Sequence, residues 1–281
     1  PYSYNLTPVP SVFNHMICAV KVNGKWEFLD GTDGSIPYGV IPYGIQGKEA
    51  LIGHTADAYE VIKMPENNSS LSTEVDSSFI KINEYAVLGN LSIHLSGYNA
   101  WHIKRLLKYR NEKEREDAFN AITSRATNKY AQKKFDFKLN DDPQKEVLIT
   151  ANFEVPDYVR KAGKDLYVNL NLHRSMADSR IDMVQRNAPV ENDFKEIKKQ
   201  VVVLDIPQGY KVSYIPDDVH KKVAGLGSYS IRYQSNDKTV TVSKELVIDA
   251  LYIQPAQFKD FNQMVAGLQN AYKESVVLTA D

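Results

Sequence analysis

The dipeptide Asn23-Gly24, set between apolar runs at residues 12–22 and 25–30, constrains this chain more than any other feature. A two-residue type I′ turn needs positive φ at both central positions, which Asn and Gly adopt at least cost, so the flanking runs are predicted to fold back as an antiparallel hairpin. The turn also dictates register. Val22 then faces Lys25, Ile17 faces Asp30 and His15 faces Thr32, which places His15 and Asp30 on one face as diagonal neighbours, roughly 7–8 Å apart by Cα. Side chains of these lengths can close that gap with a hydrogen bond. Cys18, opposite Leu29, has the other parity and points out of the opposite face.

A histidine held by an aspartate on the neighbouring strand is the base-and-orienter half of a Cys-His-Asp triad, in which the carboxylate fixes the tautomer and stabilises the imidazolium. Cys18 cannot complete it. A base must lie within about 2.6–3.2 Å of the proton it takes, and a side chain beneath a sheet does not reach one above it.

Beyond the hairpin the pattern remains rich in β-structure, as 17 tyrosines and many Val and Ile residues favour. Ile36 to Ile45 reads IPYGVIPYGI, a loop forced by two Ile-Pro-Tyr-Gly units. The polar stretch Pro65 to Ser70 reads as a boundary. Strands are predicted over Phe79–Asn83, Tyr85–Leu88, Leu91–Leu95, Lys134–Leu139, Val147–Val155, Leu166–Leu172, Val201–Leu204, Tyr210–Tyr214, Ser228–Gln234, Thr239–Leu246 and Ser275–Thr279. Helices are predicted over about Asn99–Tyr109, from Asn111 with Glu114 as its capping-box partner, and from Pro255 with Phe258, Phe261, Met264, Val265, Leu268 and Tyr272 on one stripe.

Charge narrows the partners. Lys plus Arg number 34 and Asp plus Glu 35, so no basic field exists to release counterions from nucleic acid or to hold an anionic membrane. No apolar run approaches the ~20 residues of a spanning helix. The single cysteine forms no internal disulfide and leaves the redox compartment open. The start at Pro1-Tyr2-Ser3 reads as that of a cut chain.

Other candidates read as structural. His54, His94, His102, His173 and His220 are scattered without metal-ligand spacing, so no metal and no cofactor is assigned. Asn140-Asp141-Asp142-Pro143 lacks the alternating ligands and glycine of a calcium loop. Ala224 to Ser228 lacks the Lys-Ser or Lys-Thr of a phosphate loop. The run EKEREDA reads as a solvated helix face, Trp101 as core, and Arg186 as a strand-capping salt bridge.

The segment FNHMICAVKVNGKWEFLD closely resembles the His and Asp strands of bacterial transglutaminase-like proteins, in which Phe-Asn-His precedes an apolar strand, a turn and an aromatic-aliphatic-Asp ending. A Pro-rich loop and QGKEALI continue the likeness. RNAPVENDF, VVVLDIPQGYKVSYIP and the closing YIQPAQFKDFNQMV resemble the C-terminal domain that follows the core in such proteins. The resemblance implies that His15 is the base and Asp30 the orienting acid. It also implies that the nucleophilic cysteine sits at the start of a helix upstream of residue 1, and that the parent protein is exported.

The expected fold is α+β, mostly antiparallel β: the end of a papain-like transglutaminase core at 1–66, a β-sandwich-like domain with a helical insertion at 67–198, and a C-terminal β unit closed by a helix at 199–281. The expected parent performs acyl transfer or amide hydrolysis on peptide or protein substrates, this fragment being inactive alone. The competing expectation is a non-catalytic module that binds a peptide, a glycan or a protein.

Overall fold

A computed structural model describes residues 15–32, 34, 36–55, 57–139, 142 and 145–281. Phe13 and Asn14 of the hairpin motif, and Asn140, Asp141 and Pro143 of the acidic turn, lie outside the described residues.

The Asn-Gly turn forms as its chemistry requires. Asn23 and Gly24 have φ of 50° and 80°, and β1 (Cys18–Val22) pairs antiparallel with β2 (Lys25–Leu29) so that Val22 faces Lys25 and Cys18 faces Leu29. A second hairpin, β3 (Glu49–Gly53) and β4 (Tyr59–Lys63), is not among the predicted strands. The two hairpins share a small core of Phe28, Ile41 and Met64, backed by Ile17, Trp26, Ala50, Ile52 and Ile62. Trp26 Nε1 stitches them by donating to Glu60 Oε1 at 3.0 Å.

Two-stranded hairpins are marginal alone, and this unit is fastened to the rest of the chain. Asn67 donates from its backbone N to Gln46 Oε1 at 2.7 Å and from Nδ2 to the Tyr98 hydroxyl, which in turn donates to the Ile41 carbonyl. Lys48 pairs with Glu191 at 2.8 Å and Lys195 with Glu66 at 3.2 Å. The polar stretch at 65–70 therefore acts as an anchored joint.

The body is built on β5 (Thr73–Asn83), β6 (Ala86–Leu95), β7 (Ala131–Lys138) and β8 (Val147–Val155), with α1 (Gly97–Lys108) and α2 (Glu112–Thr123) between β6 and β7. β8 shows how alternation makes a sheet face: Val147, Ile149, Ala151, Phe153 and Val155 are buried while the residues between them are not. α2 starts at the expected capping box, the Asn111 side chain accepting from Glu114 N and the Glu114 carboxylate from Asn111 N, a device worth about 1 kcal/mol. Its fully buried Phe119 lies 4.2 Å from the Phe135 ring and 4.9 Å from Phe137, both on β7.

The remaining strands are β9 (Arg160–Ala162), β10 (Asp165–Val168), β11 (Val190–Glu191), β12 (Glu196–Asp205), β13 (Tyr210–Tyr214), β14 (Val219–Val223), β15 (Gly227–Ser235), β16 (Thr239–Ile248), β17 (Tyr252–Ile253) and β18 (Val276–Ala280). Helix α3 (Phe258–Ala271) follows a 3-10 turn at Pro255–Gln257. One eight-stranded sheet has the order β14-β15-β16-β12-β5-β6-β8-β7, and a four-stranded sheet has the order β13-β18-β10-β9. Among the described residues all pairings are antiparallel except β5 with β12. The protein is thus α+β with antiparallel strands dominant.

The expected boundary between 198 and 199 needs correction. It falls inside β12, which pairs with β5 along one edge and with β16 along the other. Cutting there would strip a central strand of its hydrogen bonds. Residues from both expected units also fill one core, for example Ile149 and Phe153 with Val242, Leu278 and Phe258. The strand expected over Leu166–Leu172 ends at Val168, because Asn169 Oδ1 accepts from Asn171 N and turns the chain. Arg186 caps by donating to the Ala188 and Pro189 carbonyls rather than by an ion pair.

The inner face of the large sheet carries a buried polar row among its apolar rows. Asp76, Gln200 and Lys244 are cross-strand neighbours on β5, β12 and β16, and all three are buried. Asp76 Oδ2 accepts from Arg125 at 2.7 Å, with only 4% and 1% of the two side chains exposed. Burial holds the Lys244 ammonium down at about 7 against the pull of Asp76, and its Nζ donates to the His173 carbonyl at 2.6 Å.

Candidate active site

His15 stands one turn of strand before β1, and Asp30 follows directly on β2. The register fixed at Asn23-Gly24 brings them to one face, where His15 Nε2 meets Asp30 Oδ2 at 2.7 Å. The carboxylate is seated by more than the imidazole: Oδ1 accepts from Thr32 N at 2.9 Å and from Thr32 Oγ1 at 2.7 Å. Both oxygens are therefore oriented, and the Asp30 side chain is 7% exposed against 33% for His15. The acid is covered and the imidazole is open, an arrangement compatible with an orienting carboxylate and a proton-accepting ring.

Burial pushes the Asp30 carboxyl up, but the Thr32 hydroxyl, the Thr32 N–H and His15 together outweigh it and hold the pKa below the ordinary value of 3.8. A carboxyl whose folded pKa is depressed adds stability above its unfolded pKa, and that stability is lost as the pH falls through the folded value. Thr32→Val should raise the Asp30 pKa, read by carboxyl carbon NMR, and cost about 1 kcal/mol for the lost hydrogen bond. An unmoved midpoint would show that the hydroxyl does not hold the acid.

An ionised Asp30 accepts from Nε2–H, which in the neutral ring leaves the lone pair on Nδ1. Nδ1 is therefore the nitrogen able to take a proton from a nucleophile. Cys18 is not on the His15 face: it lies opposite Leu29 at the other parity, and the residue is exposed. Val20, Val22 and Leu29 accompany it on that outward face, 44%, 43% and 36% exposed.

The other histidines spread over separate surfaces. His54 lies 3.4 Å from Glu60, and His94, on the polar face expected for it, lies 3.7 Å from Glu146. His173 is different, being 3.6 Å from Asp76 and 4.0 Å from Glu74, a grouping that sequence reasoning missed because about a hundred residues separate its members. Trp101 is core, 6% exposed, edge-on to Tyr98 at 5.0 Å. A cleft of about 780 Å³ lies between residues 176–192 and α3, floored by Leu226, Ile253, Phe261 and Met264; neither His15 nor Asp30 lines it. Among the described residues no helix is long and apolar enough to cross a membrane.

Residues 164–278, from the start of β10 to within β18, match the model of a family described as a domain of unknown function, DUF3858. No curated protein matches the chain.

Proposed function

We propose that this chain supplies the general base and the orienting acid of a transglutaminase-like thiol acyl-transfer site acting on amide groups of peptide or protein substrates. The observation that carries the reading is the 2.7 Å bond from His15 Nε2 to an Asp30 carboxylate itself fixed by Thr32. In this reading His15 Nδ1 takes the proton from a cysteine thiol, and the thiolate attacks the amide carbonyl carbon. The C–N bond then breaks as the imidazolium returns the proton to the leaving amine, and a thioester remains. Water or a second amine, deprotonated by the same Nδ1, resolves the thioester and restores the thiol. Asp30 holds the ring in the one tautomer that permits both transfers.

The nucleophile comes from outside these 281 residues, whose single cysteine is on the wrong face. Support comes from the outward face of β1 and β2, where Val20, Val22 and Leu29 stand exposed as they would on a hairpin taken from a larger core. In this reading the parent protein acts outside the cytoplasm. The test is amide-dependent acyl transfer by the complete polypeptide carrying an upstream cysteine. His15→Ala should lower kcat by about 10³-fold or more, and Asp30→Asn by a comparable factor because the tautomer is lost. Activity within threefold of the parent in both variants would remove this reading.

One observation favours a second reading, a non-catalytic module that holds a glycan. On the solvent side of the large sheet Phe79, 57% exposed, flanks a concavity of about 430 Å³ together with Asn90, Asn152 and Lys81. An aromatic face beside amides suits a sugar ring. Binding on a glycan array that survives deletion of residues 1–66 would favour it.

A further inference from the structure

Glu74 and Asp76 project from β5 toward the segment that follows β10, where they meet His173. One ligand atom from each of the three lies within 4.8 Å of the others. Each carboxylate spends one oxygen on a cation: Glu74 Oε2 lies 3.3 Å from Lys198 Nζ, and Asp76 Oδ2 lies 2.7 Å from Arg125. What remains is unusual for a protein interior. Asp76 Oδ1 and His173 Nδ1 are both buried without a hydrogen-bond partner among the described residues, although the Asp76 side chain is only 4% exposed. Leaving such atoms unpaired costs about 1–3 kcal/mol each, so each calls for a partner of its own, an ion being one that both atoms could share.

We propose that Glu74, Asp76 and His173 form a binding site for a divalent transition cation of the Zn²⁺ type. Glu74 and Asp76 offer oxygen and His173 offers the Nδ1 lone pair, a set of three protein ligands that leaves a further position for water. Zn–N and Zn–O bonds near 2.0–2.2 Å require ligand atoms roughly 3.3 Å apart. From His173 Nδ1 the present separations are 3.6 Å to Asp76 Oδ2, the oxygen that also accepts from Arg125, and 4.0 Å to Glu74 Oε1, so side-chain rotation must draw the ligand atoms together around the ion. Lys244 fixes the backbone at His173 by donating to its carbonyl at 2.6 Å. The imidazole selects Zn²⁺ over Mg²⁺ and Ca²⁺, which want all-oxygen shells. Bound there, the ion ties the irregular chain after β10 to a central strand of the large sheet, so binding stabilises the native state by mass action.

Titration of the chelator-treated chain with Zn²⁺ tests this, with calorimetry and thermal unfolding as readouts. One Zn²⁺ should bind and raise Tm, while Mg²⁺ and Ca²⁺ at the same concentrations should not. His173→Ala and Glu74→Gln should weaken Zn²⁺ binding by ~10-fold or more, at least the loss that follows removal of an outer-shell partner, whereas His54→Ala should leave it unchanged. Circular dichroism checks each fold. His173 is about a third exposed, so His173→Ala decides the matter even where Glu74→Gln unfolds. Absence of Zn²⁺ binding, or binding that His173→Ala does not weaken, would overturn the proposal.

Discussion

Asp76→Ala is expected to destabilise the protein by about 3–5 kcal/mol in urea unfolding, the cost of leaving a buried charge without its partner. Arg125 would keep its bonds from Nη1 to the Ile122 and Ser124 carbonyls but lose its carboxylate partner at 2.7 Å. With its side chain 1% exposed, it could not recover water without opening the fold. Lys244 would lose the same counter-charge. The double variant Asp76→Ala/Arg125→Met should therefore be more stable than the sum of the single losses implies, by about 1–3 kcal/mol of coupling. Strict additivity would mean that the pair does not hold the two charges in place. Measuring in chelator keeps the test separate from any metal.

Gly97→Ala should cost about 3 kcal/mol or more, for a reason visible in the backbone. Gly97 opens α1 with φ of +56°, and a Cβ there would stand 1.9 Å from the Leu71 carbonyl oxygen and 3.0 Å from Ser72 Cα. The left-handed conformation alone costs an alanine about 1 kcal/mol, and forcing two backbones apart adds about 1–3 kcal/mol. Gly163 separates the two contributions. It has φ of +61° but open space around a would-be Cβ, so Gly163→Ala should cost only about 1 kcal/mol. Equal losses at the two positions would contradict the close approach of α1 to residues 71 and 72.

What the sequence revealed was local, and the reasons are physical. Asn23-Gly24 sets a turn whose geometry propagates along its ladder, so the meeting of His15 with Asp30 and the outward aim of Cys18 follow from counting. Asn111 and Glu114 write a capping box within four residues, and the alternation in β8 shows which face it buries. What stayed hidden was long range. No local signal says that β12 lies parallel to β5, and so the boundary expected at 198/199 falls inside a central strand. Lys244 sits at an inward position of an otherwise apolar alternation, Val240, Val242 and Leu246, and its environment depends on Asp76, which is distant in sequence. His173 looked isolated because its neighbours Glu74 and Asp76 approach only once the chain after β10 folds over the sheet.

The central claim is that Asp30 holds His15 with Nε2 protonated and the Nδ1 lone pair free to act as a base. Long-range nitrogen-15 correlation NMR of the imidazole, recorded above the pH at which the ring is charged, reads this directly. The account predicts a pyrrole-like shift at Nε2 and a pyridine-like shift at Nδ1, with the distinction collapsing toward a tautomer mixture in Asp30→Ala. A protonated Nδ1 in the parent chain, or a mixture that Asp30→Ala leaves unchanged, would contradict it.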